Sequence, residues 1–175
     1  MTARLWAVAA VLFALVVTGG VGWSHYATLR PPSAGVATRD VPLTVGGVRY
    51  QVLDLQRLQR ITFADHEPLV APEGAVWVRL DVRLELLDAG IEMDTLRCTG
   101  FLVSGGSEWS DDYDPASYSD DLASRQCHTV GDDRPLTVGV PKTLTLHWLV
   151  PTWAAEQPQF FLRFVTPPRG LELRP

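Results

Sequence analysis

Along residues 76–86, Val76, Val78, Leu80, Val82, Leu84 and Leu86 alternate with Trp77, Arg79, Asp81, Arg83 and Glu85. Successive side chains of an extended strand point to opposite faces. Period two therefore puts every aliphatic residue on one face and every charge on the other. A helix would scatter the same aliphatics around its circumference. The pattern returns in residues 143–150, where Leu144, Leu146, Trp148 and Val150 share a face between Pro141 and Pro151. It returns again in residues 160–165, with Phe160, Leu162 and Phe164. Weaker strands are expected at residues 43–45, 48–55, 96–103, 136–138 and 171–173. Turn residues separate them: Gly46-Gly47, Pro72-Glu-Gly74, Asp88-Ala-Gly90, Gly105-Gly106 and Gly131-Asp-Asp133. No stretch after residue 40 shows a sustained apolar pattern at helical spacing. The expectation is an all-β fold, two antiparallel sheets packed face to face over residues 41–175.

The N-terminus has a different character. Residues 5–23 form an uncharged, mostly apolar run of 19 residues, about 28 Å long as a helix against a hydrocarbon core of ~30 Å. It is longer than the apolar region of an ordinary secretory signal, and residues 22–27 offer no small-x-small cleavage site. The organisation expected is a cytoplasmic stub (residues 1–4), a transmembrane signal-anchor (5–23), a stalk carrying Pro31-Pro32 (24–40) and the sandwich (41–175). This makes a single-pass membrane protein with its C-terminal domain outside the cytoplasm. The alternative is secretion after signal cleavage. Arg4 and the α-amine favour a cytoplasmic N-terminus, whereas Arg30 and Arg39 lie on the other side.

Cys98 and Cys127 are the only cysteines. Their separation matches no C-x-x-C redox or zinc pattern. In an oxidising compartment they would pair and close a loop of about 30 residues, worth roughly 3.5 kcal/mol by chain entropy. Two unpaired core cysteines are the alternative. The net charge is −5, which carries no electrostatic footprint for nucleic acid. Six carboxylates fall within residues 108–121, with no basic residue among them (Glu108, Asp111, Asp112, Asp114, Asp120 and Asp121). The acidity is thus local, and a solvated loop is its simplest reading. Lys142 is the single lysine, an arginine-for-lysine usage that suits a GC-rich bacterial genome.

Three segments carry a family resemblance: Val45-Gly-Gly-Val-Arg-Tyr-Gln-Val52, Pro72-Glu-Gly-Ala-Val-Trp-Val-Arg-Leu-Asp-Val82, and His147-Trp-Leu-Val-Pro151 followed by Phe160-Phe-Leu-Arg-Phe164. In order and spacing the chain resembles bacterial extracytoplasmic immunoglobulin-like domains of the telokin-like or secreted-antigen type. The resemblance implies an immunoglobulin-like sandwich at the cell surface and brings no catalytic residues. Many members of that family are lipoproteins, and this chain has no cysteine placed for lipidation.

Candidate chemistry is sparse. Ser104-Gly-Gly-Ser107 reads as a hairpin and not as a nucleophile elbow. His25, His66, His128 and His147 fall in no pattern with a nucleophile. His128 beside Cys127 lacks further ligands at zinc spacing. Asp111, Asp112 and Asp114 are candidate calcium ligands, although the calcium-loop pattern is absent. Trp109, Tyr113 and Tyr118 lie inside the acidic segment and are candidate partner-binding residues, unless they fold back onto the sandwich. Trp77, on the charged face of its strand, raises the same question, and Trp148 is assigned to the core. The expected function is a non-catalytic interaction or accessory module of the cell envelope, with no cofactor. Its partners would be the membrane, through the helix, and a protein or envelope polymer. The rival is a ligand- or calcium-binding domain.

Overall fold

The computed structural model describes residues 33–62, 67–91, 97–111, 136–164 and 169–175. The anchor expected at residues 5–23 lies outside them. Among the described residues no helix is long and apolar enough to cross a membrane.

Eleven strands are described: β1 (Ser33–Thr38), β2 (Leu43–Val45), β3 (Val48–Leu58), β4 (Arg60–Ile61), β5 (Leu69–Val70), β6 (Ala75–Leu86), β7 (Cys98–Ser104), β8 (Ser107–Ser110), β9 (Lys142–Pro151), β10 (Gln159–Phe164) and β11 (Arg169–Arg174). They build a five-stranded sheet, β1-β11-β10-β7-β8, a four-stranded sheet, β2-β3-β6-β9, and a small β4-β5 hairpin. The alternation aims the shared aliphatic face of β6 and β9, neighbours in the four-stranded sheet, at that of β10 in the five-stranded sheet. Val78, Leu80, Val82, Leu84, Leu146, Trp148, Phe160 and Leu162 are buried in one continuous core, joined by Tyr50, Val52, Leu102, Leu171 and Leu173. Each fully buried leucine contributes roughly 1.5–3 kcal/mol by leaving water. The Trp148 and Phe160 rings meet at 5.4 Å across the two sheets. The β-sandwich expected from the alternation is therefore present, and Trp148 is in its core.

Four expectations are corrected. Ser33–Thr38, placed in a stalk, is strand β1, and it pairs with β11 in parallel, from Ser33 opposite Gly170 to Thr38 opposite Arg174. Every other strand pair is antiparallel. An edge strand of small residues that fully buries only Ala37 has no alternation to announce it. Residues 136–138 are not a strand: Val138 makes an isolated bridge to Leu86. Trp77 is neither exposed nor available for binding. It is 2% exposed and packs with Ile61 and Ala71, against Leu58, Leu69 and Leu149, in a second small core on the outer face of the four-stranded sheet. The β4-β5 hairpin supplies Ile61 and Leu69 to that core and so shields the tryptophan. Finally, the acidic segment begins as a strand, since β8 contains Glu108 and Trp109.

Strand β3 carries a bulge between Val52 and Asp54. Before it Tyr50 and Val52 face the core, and after it Leu55 and Arg57 stand opposite Leu80 and Val78. The extra residue shifts the parity of the strand's second half by one.

Candidate functional site

The β7-β8 hairpin turns through Gly105 and Gly106, both at positive φ (55° and 81°). A two-residue loop of this kind matches the twist of the strands it joins. In β8, Ser107 to Ser110 stand opposite Ser104 to Phe101, so Glu108 and Trp109 point to opposite sides. On the outer side, Glu108 forms a two-pronged ion pair with Arg163 of β10. Nη1 donates to Oε1 at 2.7 Å, and Nη2 donates to Oε2. The same guanidinium lies 4.0 Å above the Phe101 ring, a cation–π contact worth about 0.5–1 kcal/mol at an exposed site.

On the inner side, Trp109 stands opposite the buried Leu102 and is partly buried against the core. Its ring meets Trp153 edge-on, with centroids 5.8 Å apart and 63° between planes. Trp153 sits in the 3-10 turn Thr152–Ala155 that links β9 to β10. That turn is firmly built. Ala154 and Ala155 are buried, and the amide N–H and hydroxyl of Thr152 both donate to the Gly74 carbonyl, at 2.9 and 3.0 Å. The indole rests on the hairpin tip: a Cβ on Gly105 would come within 2.8 Å of Trp153 Cζ3. Yet Trp153 remains 51% exposed, alone among aromatic residues in the large hydrophobics that face solvent among the described residues.

Asp111 follows the last residue of β8 and is 1% exposed. Its Oδ1 accepts the Gly100 N–H at 3.0 Å, so a side-chain carboxylate takes over where the β8 backbone stops serving β7. The slot exists because residue 100 has no side chain. A Cβ there would approach Asp111 Oδ2 to 3.1 Å and Leu146 Cδ2 to 3.0 Å. This carboxylate belongs to the sandwich interior and not to a solvated loop. Asp112 and Asp114, its expected companions around calcium, lie outside the described residues, as do Tyr113 and Tyr118. Among the described residues no group of three or more His, Cys, Asp or Glu side chains is placed to hold a metal ion. Cys98 is buried at the start of β7, and no cysteine among the described residues is free; Cys127 lies outside them. His147 is buried on β9 opposite Arg79, and His66 is outside the described residues.

Of the candidate partner-binding residues, then, Trp109 is placed, half in the core and half in an aromatic corner. Trp153, the most exposed member of that corner, was not among them. The signal for it was present: a tryptophan in the spacer Pro151-Thr-Trp-Ala-Ala-Glu-Gln-Pro158 belongs to no apolar strand face. What the corner offers chemically is an aromatic surface made by Trp153 and the edge of Trp109, while the Glu108–Arg163 ion pair lies on the opposite face of β8.

Class is defined by the fold, a β-sandwich of two main sheets. No protein-family model matches the chain, and no curated protein matches it. Two solved structures are similar in outline. One is an uncharacterized β-sandwich protein from Clostridium difficile 630, at 8% identity and a TM-score of 0.49, covering 81% of this chain and 93% of that one. The other is a conserved hypothetical protein from Bacillus anthracis, at 9% identity and a TM-score of 0.48, covering 72% and 87%.

Proposed function

We propose that this chain is a non-catalytic interaction module, held at the outer side of the cytoplasmic membrane by residues 5–23, that contacts a protein or envelope partner through the Trp109/Trp153 corner. The observation that carries this reading is a half-exposed tryptophan on a turn held by two hydrogen bonds and two buried alanines. Interface hot spots are enriched in tryptophan, and a side chain already fixed in place loses less entropy on binding. The half-buried Trp109, whose ring meets Trp153 edge-on, extends the contact. The parallel pairing of β1 with β11, and the crossings between sheets from β6 to β7 and from β9 to β10, support an immunoglobulin-like subclass of sandwich. A bond between Cys98 and Cys127 completes the proposal and would suit an oxidising compartment. The calcium reading is the weaker one, because one oxygen of Asp111 already serves a backbone N–H inside the sandwich.

Site-specific photocrosslinking in cells tests the contact. A photoreactive residue at position 153 of the full chain should give an adduct that the same residue at position 70, where Val70 is 64% exposed, does not give. Equal adducts at both positions, or none at 153, would defeat the proposal. A phosphatase fused after Pro175 should be active only if the C-terminus is extracytoplasmic, so an inactive but stable fusion would reverse the orientation.

A further inference from the structure

The bulge in β3 sends one guanidinium where simple alternation would not. Counting by twos from the core residues Val48, Tyr50 and Val52 would put residue 57 on the outer face. The extra residue between Val52 and Asp54 instead sets Arg57 opposite the core residue Val78, on the side that faces the second sheet. Bulges commonly re-aim a side chain in this way. At the end of the sandwich Arg57 meets the turn that carries Trp153. Its Nε donates to the Ala155 carbonyl at 2.7 Å, and its Nη2 reaches the Glu156 carbonyl at 3.4 Å. The last carbonyls of a helical turn lack partners within the turn itself. A planar guanidinium can serve two of them at once, which an ammonium group on a flexible stem does less well. From the other side, Thr152 ties the start of the turn to Gly74. The turn is thereby fastened at both ends, to the β5–β6 connection and to β3, with Trp153 between.

We propose that Arg57 is the positioning residue of the Trp153 contact: held inward by the β3 bulge, it fixes the turn so that the indole stays on Gly105 and against Trp109. This inference rests on the reading of Trp153 as the contact residue. Arg57 itself is exposed and belongs to neither buried cluster, so its loss leaves the sandwich folded while freeing the turn.

Fluorine NMR of the full chain in detergent, labelled with 5-fluorotryptophan and assigned by single Trp→Phe variants, reads this without any partner. In Arg57→Ala the Trp153 resonance should lose at least half of its displacement from the unfolded-chain position, and the Trp109 resonance should shift with it. The resonances of Trp77 and Trp148 should stay in place. Arg57→Lys should restore only part of the Trp153 displacement. Unchanged Trp153 and Trp109 resonances in Arg57→Ala would overturn the inference, and so would a common shift of Trp77, Trp109, Trp148 and Trp153 together, which would mean a global role. The crosslink at position 153, made with Arg57 intact, fails or succeeds separately, so the two readings cannot be confused.

Discussion

Replacing Tyr50 by phenylalanine should stabilise this protein. The ring of Tyr50 is 0% exposed in the centre of the sandwich and meets Phe164 edge-on at 5.7 Å and 70°. Among the described residues its hydroxyl has no hydrogen-bond partner. A buried polar group without a partner costs about 1–3 kcal/mol of lost hydration. Phenylalanine keeps the ring and its contact with Phe164 and leaves a gap no larger than one oxygen atom, which costs ~1 kcal/mol or less. The balance favours the variant by about 1 kcal/mol at neutral pH. Alkaline pH sharpens the test. Burial pushes the Tyr50 phenol above its ordinary pKa of 10.0, because the interior disfavours phenolate. A raised pKa in the folded state means that the folded chain holds its proton more tightly than the unfolded one. The contribution is therefore complete below pH 10 and is lost as pH rises above it, by up to about 1.4 kcal/mol per pH unit. Phenylalanine has no such proton, so its advantage should widen between pH 10 and 11. Urea unfolding of both proteins at pH 7, 10 and 11, followed by near-UV circular dichroism, measures the difference. A shift in midpoint with an unchanged slope reports stability alone. A loss of 1 kcal/mol or more at pH 7, or a difference that does not depend on pH, would refute the reasoning by showing that the hydroxyl has a stabilising partner.

Trp77→Ala should cost about 3–5 kcal/mol in the same urea assay, as for large aromatic truncations in cores. A cost below ~1 kcal/mol would mean that the outer-face cluster does not pack as described. Asp111→Ala strands the Gly100 N–H in the interior and should cost about 1–3 kcal/mol. Asp111→Asn keeps an oxygen acceptor and should lose less, so equal losses would deny the hydrogen bond its role. Gly105→Ala meets both an unfavourable positive φ and the Trp153 ring, and should cost roughly 1–3 kcal/mol. It should also move the Trp153 fluorine resonance, and a silent spectrum would separate the indole from the hairpin tip.

Strands β6, β9 and β10 were legible because the period-two pattern is a local property. Each residue's face follows from its neighbour's, and burial on one side is written into every second position. The sandwich follows from those faces, since each has to meet another. The candidate site was only half legible. Trp109 stood out as an aromatic in an acidic run, but its partner Trp153 lies 44 positions further along the chain, and no local pattern connects the two. Asp111 looked like one carboxylate among six. Its burial depends on Gly100, across the hairpin, having no side chain.

The amino-acid order alone thus determined the class of structure and the faces of its long strands, because alternation acts between adjacent residues. Tertiary structure decided what alternation cannot carry: that Ser33 pairs with Gly170, that the β4-β5 hairpin buries Trp77, and that a bulge turns Arg57 toward the Trp153 turn. Each of these depends on residues brought together from distant parts of the chain, where closure of the whole sandwich, and not local propensity, sets who meets whom.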